Sequence, residues 1–290
     1  MRFIKMHGTG NDFIIVPGGA GELSGVDGAT NWGEAASILC DRHFGIGSDG
    51  VLLLSPSDVA AFQMQTFNPD GSEAEMCGNG IRCVAKYAVE SGMVANPSDE
   101  AGFKVSTLGG IKTVWPVISN GLVTGVRVDM ESPELAPARI PVAVESEKPV
   151  LDHRIVIDGS SMDMTFVSMG NPHAIVFLDT PVDQFPLERI GPIVEHDPLF
   201  PQRTNFEVVN VLGRDRLRVR IWERGAGLTM ACGTGACAIM VAASLKGLVD
   251  ETVTIELPGG ELVLEWGGTG PVFMTGSVES VFEGDWRGAG

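Results

Sequence analysis

The stretch CGNGIRCVAKYAVESG, residues 77–92, has a counterpart in CGTGACAIMVAASLKG, residues 232–247. Each opens on a cysteine followed by a Gly-x-Gly turn, continues through apolar positions and closes on glycine. In the first copy Ile81, Val84, Ala85, Ala88 and Val89 recur at helical spacing, and Gly92 is suited to stop the helix. The second copy is apolar almost all round, so a helix there has to be enclosed by other elements. Working outward, GNDFIIV (10–16) lies over GNPHAIV (170–176), and TLGGIKTVW (107–115) lies over LPGGELVLEW (257–266). The offsets of 160, 155 and about 150 residues keep the order of the matches, which is the mark of a two-fold internal repeat.

Between these matches lie short apolar or β-branched runs bounded by Gly, Pro, Asn or Asp. FIIVPGG, GVLLLSP, AAFQMQTF, AIVFLD, EVVNVL, LRVRIW and TVTIELP are examples. Each repeat therefore reads as strands, one helix, then more strands. A strand-rich lobe that encloses one buried helix is a barrel-like or strongly curved sheet with the helix inside. The Pro- and Glu-rich stretch SPELAPARIPVAVESEKP (132–149) is the expected crossing between lobes.

The chain has 20 basic against 37 acidic residues in 290, a net charge of -17 that repels phosphate backbones and anionic lipid. Neither nucleic acid nor a membrane is an expected partner. The densest basic stretch, GRDRLRVRIWER (213–224), alternates Arg with apolar residues, which is strand spacing with Arg on the wet face. The N-terminus has no apolar core of a signal peptide and no run of 18 apolar residues follows, so a soluble cytoplasmic protein is expected. Five cysteines, an odd number, argue against a disulfide framework.

In both copies the cysteine precedes the turn that opens a helix, where unpaired amides and the dipole favour negative charge. A thiol so placed can have its pKa drawn from about 8.5 to roughly 3.5–7.5, and can serve as thiolate base or thiol acid. Two such helix starts acting on one carboxylate substrate would suit inversion at its α-carbon, one sulfur taking the proton and the other returning it. Packing is the alternative for any cysteine and is the reading taken for Cys40, Cys83 and Cys237. Zinc lacks ligand spacing such as C-x-x-C or H-E-x-x-H. GTGACA (233–238) matches the dinucleotide pattern G-x-G-x-x-A with Asp250 as the distant acid, but no buried strand precedes it.

These segments, with KMHGTGNDF (5–13), RHFGIGSDG (42–50), FNPDGSEAEMCGNGIRC (67–83), VSMGNPH (167–173), ERGAGLTMACGTGACA (223–238), LPGG (257–260) and MTG (274–276), closely resemble the diaminopimelate epimerase family. The resemblance implies an α+β fold of two pseudo-symmetric lobes, each a curved mixed or antiparallel β-sheet, barrel-like, wrapped around a central α-helix. The lobes expected are 1–132, with 277–290 returning to it, and 133–276. It implies epimerisation between LL- and meso-diaminopimelate with no cofactor and no metal, by Cys77 and Cys232, with His173 and Glu223 tuning the site. Asn11, Asn68, Asn171, Asn205 and Arg224 are implied as substrate-binding, Arg224 on the distal carboxylate. Gly78, Asn79, Gly233 and Thr234 would supply backbone donors at the reacting carboxylate. Gly50 stands where some members carry Gln, and Phe282 where some place an aromatic at a dimer contact, so a homodimer is implied. Two rivals remain at this point: a proline racemase or hydroxyproline epimerase, whose substrate lacks a second charged end, and a thiol redox sensor without turnover.

Overall fold

A computed structural model describes residues 1–19, 23, 25–26, 28–95 and 101–288. The chain divides into two compact units, residues 1–128 with 276–290, and residues 129–275. In the first unit β1 (Arg2–Gly8) and β2 (Asn11–Pro17) form a hairpin, and α1 (Trp32–Cys40) crosses to β3 (Gly50–Ser55), which pairs parallel to β2. A second hairpin of β3 with β4 (Phe62–Phe67) leads through the two-residue β5 (Glu73–Ala74) to α2 (Gly78–Glu90). Helix α2 crosses to β6 (Phe103–Thr107), parallel to β4, and β7 (Gly110–Ser119) and β8 (Leu122–Asp129) follow antiparallel.

The second unit repeats this plan element by element. After β9 (His153–Ile157) come β10 (Ser160–Ser168), β11 (Pro172–Phe177), α3 (Leu187–Glu195), β12 (Asn205–Gly213), β13 (Arg216–Glu223), β14 (Gly227–Leu228) and α4 (Gly233–Leu245). Strands β15 (Thr252–Leu257), β16 (Gly260–Glu265) and β17 (Phe273–Ser277) complete it, and β18 (Glu279–Asp285) returns to pair antiparallel with β1. The parallel pairs recur at the same places: β11 with β12 across α3, and β13 with β15 across α4. The protein is thus α+β, with two pseudo-symmetric lobes of mixed sheet and helix.

Helix α2 touches β1 and β2 as well as β7, and α4 touches β10 and β11 as well as β16, so each sheet curls round its helix. Enclosure explains why α4 tolerates apolar residues on every face: Ala236 through Ala243 are all buried without a break. Strands between the two helix layers are buried on both sides. In β3, Val51 and Leu53 join the cluster of Ala35, Ala36 and Leu39 from α1, while Leu52 packs against Gly80 at the start of α2.

Two expectations need correction. Among the described residues each unit has two α-helices, not one. Helix α1 is nucleated by Asn31, whose side chain accepts from Glu34 N at 3.0 Å, while Glu34 accepts from Thr30 N at 2.7 Å, a capping box. Its partner α3 packs Leu187, Ile190 and Val194 into the outer cluster of the second unit. The stretch 132–149, expected as the crossing between lobes, lies within the second unit. Glu134 bridges to Ser168, and Ile140 and Val142 are buried with Phe166 and Phe206, so this segment is part of the second unit's core. Among the described residues no helix is long and apolar enough to cross a membrane.

Candidate active site

Cys77 and Cys232 are the N-cap residues of α2 and α4, with matching backbone: φ -132, ψ 113 and φ -123, ψ 115. Each sulfur accepts from the amide three residues on, Gly80 N at 3.3 Å and Gly235 N at 3.4 Å. Sulfur takes the place that a serine or aspartate oxygen has in an ordinary N-cap. Packing leaves little room for a side chain at the second glycine of each turn. A Cβ on Gly80 would lie 3.1 Å from Leu52, and one on Gly235 would lie 3.1 Å from Glu207 Oε1.

In the first unit Asn79 Nδ2 donates to Asn11 Oδ1 at 3.1 Å, and Asn11 Nδ2 donates to Asp49 Oδ2 at 2.7 Å. Asp49 also accepts from Arg42 at 2.7 Å, and Arg42 reaches Asp12 at 2.8 Å. Lys5, buried, pairs with Asp12 at 2.5 Å. Burial opposes ionisation of Asp12, but its hydrogen bonds with Arg42, Lys5 and Asp49 bring its pKa down to about 2. Beneath the helix start, Arg82 is fully buried, with Nη1 on Gly78 O at 3.1 Å and Nη2 on Thr9 Oγ1 at 2.6 Å. Asn68 sits in the turn after β4, its Nδ2 on Ser72 Oγ at 3.0 Å. At Gly50 a Cβ would meet the Phe67 carbonyl oxygen at 2.9 Å, so this backbone has no room for a glutamine.

In the second unit His173 is completely buried between Glu207, 2.6 Å from Nδ1, and Asn171 Oδ1, 2.9 Å from Nε2. Asn171 Nδ2 donates to Thr234 Oγ1 at 3.3 Å, and that hydroxyl lies 3.5 Å from Cys232 Sγ. Asn205, buried, accepts at Oδ1 from Arg224 N at 2.8 Å and donates from Nδ2 to the Pro172 carbonyl at 2.9 Å. The turn that carries Arg224 is held by Glu195, which accepts from Gly225 N at 3.0 Å and Trp222 Nε1 at 2.8 Å. The Arg224 side chain is exposed, with Nη1 on Gln202 O at 3.1 Å.

The expected lowering of both thiols fails at Cys232. Burial pushes its pKa well above the ordinary value, and the negative charge of Glu223 adds to the effect against the smaller help of Thr234 and Gly235. The helix end is electropositive, but a sulfur only 5% exposed beside two carboxylates loses more by desolvation than it gains from the amides. Cys77 is half-buried. Glu207, Arg82, Asp49 and Glu195 were not singled out from sequence. For Glu207 a signal existed: an acid within the apolar run NFEVVNV is out of place in a buried strand. Among the described residues no group of three His, Cys, Asp or Glu side chains is arranged to hold a metal.

The fold of two mixed-sheet lobes, each with its inner helix, is shared with solved structures. A probable proline racemase from Agrobacterium radiobacter superposes with a TM-score of 0.68 at 15% identity, over 98% of this chain and 92% of that one. A hydroxyproline epimerase from Agrobacterium vitis gives 0.68 at 16%, over 98% and 91%. Sequence narrows the class. The diaminopimelate epimerase family model matches residues 3–136 and 165–281. Diaminopimelate epimerases of Acetivibrio thermocellus and Methanococcus maripaludis are 48% and 47% identical, over 98% of this chain and 98% and 99% of theirs. The chain belongs to the diaminopimelate epimerase family.

Proposed function

We propose that the chain interconverts LL- and meso-2,6-diaminopimelate by a cofactor-independent, two-base reaction serving lysine and peptidoglycan precursor synthesis. Family membership supports the substrate, and the matched pair of cysteine N-caps is the observation that carries the chemistry. An α-proton next to a carboxylate is weakly acidic, so removal needs a base and a place for the charge that moves onto the carboxylate. The Cys77 thiolate takes the proton on one face, and the Cys232 thiol gives its own proton to the opposite face. Cys77 ends as thiol and Cys232 as thiolate, so the reverse reaction starts from the opposite protonation state. Burial and the neighbouring carboxylates keep Cys232 protonated, which suits it to begin as the acid.

The amides at the helix starts, from Gly78 and Asn79 and from Gly233 and Thr234, face the reacting carboxylate and stabilise its charge. Asn11, Asn68, Asn171 and Asn205 line the substrate, His173 and Glu223 set the charge around Cys232, and Arg224 meets the distal carboxylate through a bidentate contact. The protein works in the cytoplasm as a homodimer. In D2O, without added cofactor, the protein is expected to exchange the α-proton of LL-diaminopimelate and to leave proline untouched. Replacing either Cys77 or Cys232 by Ala should abolish epimerisation. Exchange on proline instead, or full turnover without one cysteine, would overturn the assignment.

A further inference from the structure

A completely buried carboxylate in an apolar strand needs a physical reason. Glu207 is 0% exposed, flanked on β12 by buried Phe206 and Val208. The first unit shows that the scaffold itself does not need a charge here. Strands β2 and β3 pair with Phe13 opposite Gly50 and Ile15 opposite Leu52, as β11 and β12 pair with His173 opposite Asn205 and Ile175 opposite Glu207. Phe13 and Leu52 thus occupy the places of His173 and Glu207, and both are buried.

The second unit's pair has a definite hydrogen-bond polarity. An amide oxygen only accepts, so His173 Nε2, 2.9 Å from Asn171 Oδ1, must carry a hydrogen. A contact of 2.6 Å between Nδ1 and Glu207 Oε1 also requires a proton between them. The Oε2 atom of Glu207 makes no hydrogen bond among the described residues, so His173 is the partner that compensates this carboxylate. With Nε2 as donor, Asn171 turns its Nδ2 to Thr234 Oγ1, and the Thr234 hydrogen is left for Cys232 Sγ. Gly235 N is the second donor to that sulfur. If Nε2 became an acceptor, Asn171 would turn over, Thr234 would donate to Asn171, and the sulfur would lose a donor.

We propose that Glu207 is a positioning residue: by sharing a proton with His173 Nδ1 it keeps Nε2 a donor and so aims the Thr234 hydroxyl hydrogen at Cys232. An amide does not pass a proton along, so the series polarises the site without conducting through it. The titratable groups beside the pair are Cys232 on α4 and Glu223 on β13, and the charges of Glu223 and, more weakly, of Glu207 itself oppose formation of the thiolate. The donors from Thr234 and Gly235 are what favour the thiolate that the proposed epimerisation requires, and in that respect the inference rests on that reading.

The test begins with the wild-type protein labelled with 15N-histidine. At neutral pH a strongly deshielded proton coupled to His173 Nδ1, together with a protonated Nε2, is expected; an unprotonated Nε2 would overturn the proposal. Glu207→Gln keeps the volume, and Glu207→Leu introduces the residue found at the equivalent Leu52. Both should lose the deshielded proton. Because His173 offsets the Glu207 charge, loss of the Thr234 donor should outweigh relief of that charge in both, so peptide-resolved alkylation should place the Cys232 thiolate about one pH unit higher, with kcat/KM for diaminopimelate roughly tenfold lower. An alkylation profile that does not move in a folded variant would refute the role of Glu207. Should wild type lack epimerase activity, the functional reading fails while the histidine spectrum still decides this one; should neither variant fold, that spectrum alone decides it.

Discussion

Around α2 and α4 the same backbone carries hydrogen bonds of opposite direction. At α2 the donors run outward from the helix start, Asn79 to Asn11 to the carboxylate of Asp49. At α4 they run inward, from His173 to Asn171 to Thr234 beside Cys232. The cysteine caps differ by only 9° in φ and 2° in ψ, so what separates the two thiols is burial first and neighbouring charge second, not backbone geometry. Asp49 and Arg42 terminate one series at the surface, whereas Glu207 and His173 terminate the other inside the core. Duplication supplies two matched thiols, and a few substitutions around them leave one buried and the other half-buried. A reaction that needs a base and an acid at once profits from that inequality.

The severest way to break the comparison is to remove one thiol at a time. Cys77→Ala and Cys232→Ala should each lower kcat/KM by 10³-fold or more, because loss of either base or acid stops inversion in both directions. Turnover rates of the two variants, with folding checked by circular dichroism, decide it. If one variant kept a tenth of the activity, a single thiol would be serving both faces and the two halves would not divide the work.

Next in size is the buried cation of the first unit. Arg82 stands where α4 has Cys237, five residues after the cap in each helix. Arg82→Ala removes the partner of Gly78 O and Thr9 Oγ1 and opens a cavity, and should cost about 3–5 kcal/mol. A denaturant midpoint that barely moved would mean that the first helix start is held by its packing alone, as α4 is.

The inner helices and their caps were legible because a glycine turn after cysteine and 3.6-residue spacing are local signals, and the repeat doubled them. The outer helices were not. Helix α1 is nine residues long in a Gly- and Asn-rich region, although its capping box at Thr30, Asn31 and Glu34 was present to be read. Helix α3 begins after Pro186 and contains Pro192, so its sequence looks like a loop until packing of Leu187, Ile190 and Val194 overrides propensity. Segment 132–149 failed for a related reason, since its Pro and Glu content hides Ile140 and Val142. Within the site, Cys77 and Cys232 could be argued from chemistry, while His173 and the asparagines came only with the family match. The signal at Glu207, an acid in an apolar run, is masked by the rule of alternation, which assigns every second residue of a strand to solvent. The first five residues of β12 are buried on both faces, and that rule does not apply to them.

Gly50 sharpens the comparison at intermediate size. Its register partner in the other unit's plan is Asn205, which has space for a side chain, whereas a Cβ at 50 would press on Phe67 O at 2.9 Å. Gly50→Gln should therefore destabilise by about 1–3 kcal/mol through a forced backbone shift, and should not improve KM for diaminopimelate. An unchanged thermal midpoint with a lower KM would show that this strand yields and that the glutamine of other members can be accommodated.

The smallest effect separates the units by pH. Asp12 titrates at about 2 in the folded chain against 3.8 ordinarily, so its contribution is complete above roughly pH 4 and is lost as pH falls toward 2. The corresponding residue of the second unit is Pro172, which has nothing to titrate. Cys232 works with the opposite sign. Its thiol is held neutral by burial and by Glu223, so folding favours the protonated form, and stability falls as pH rises above the unfolded thiol value of about 8.5. Acid should accordingly loosen the first unit, with Asp12 contributing at most about 2 kcal/mol, whereas alkali should loosen the second through Cys232 and the first through Cys83, whose buried thiol in α2 is pushed up to about 12. Hydrogen exchange read separately for α2 and α4 across pH 3 to 10 measures both limbs. Replacing Asp12 by Asn should flatten the acid limb at α2 and leave the alkaline limb at α4 in place. Were α4 to lose protection together with α2 in acid, the two halves would unfold as one cooperative body, and their electrostatic difference would act on the chemistry alone.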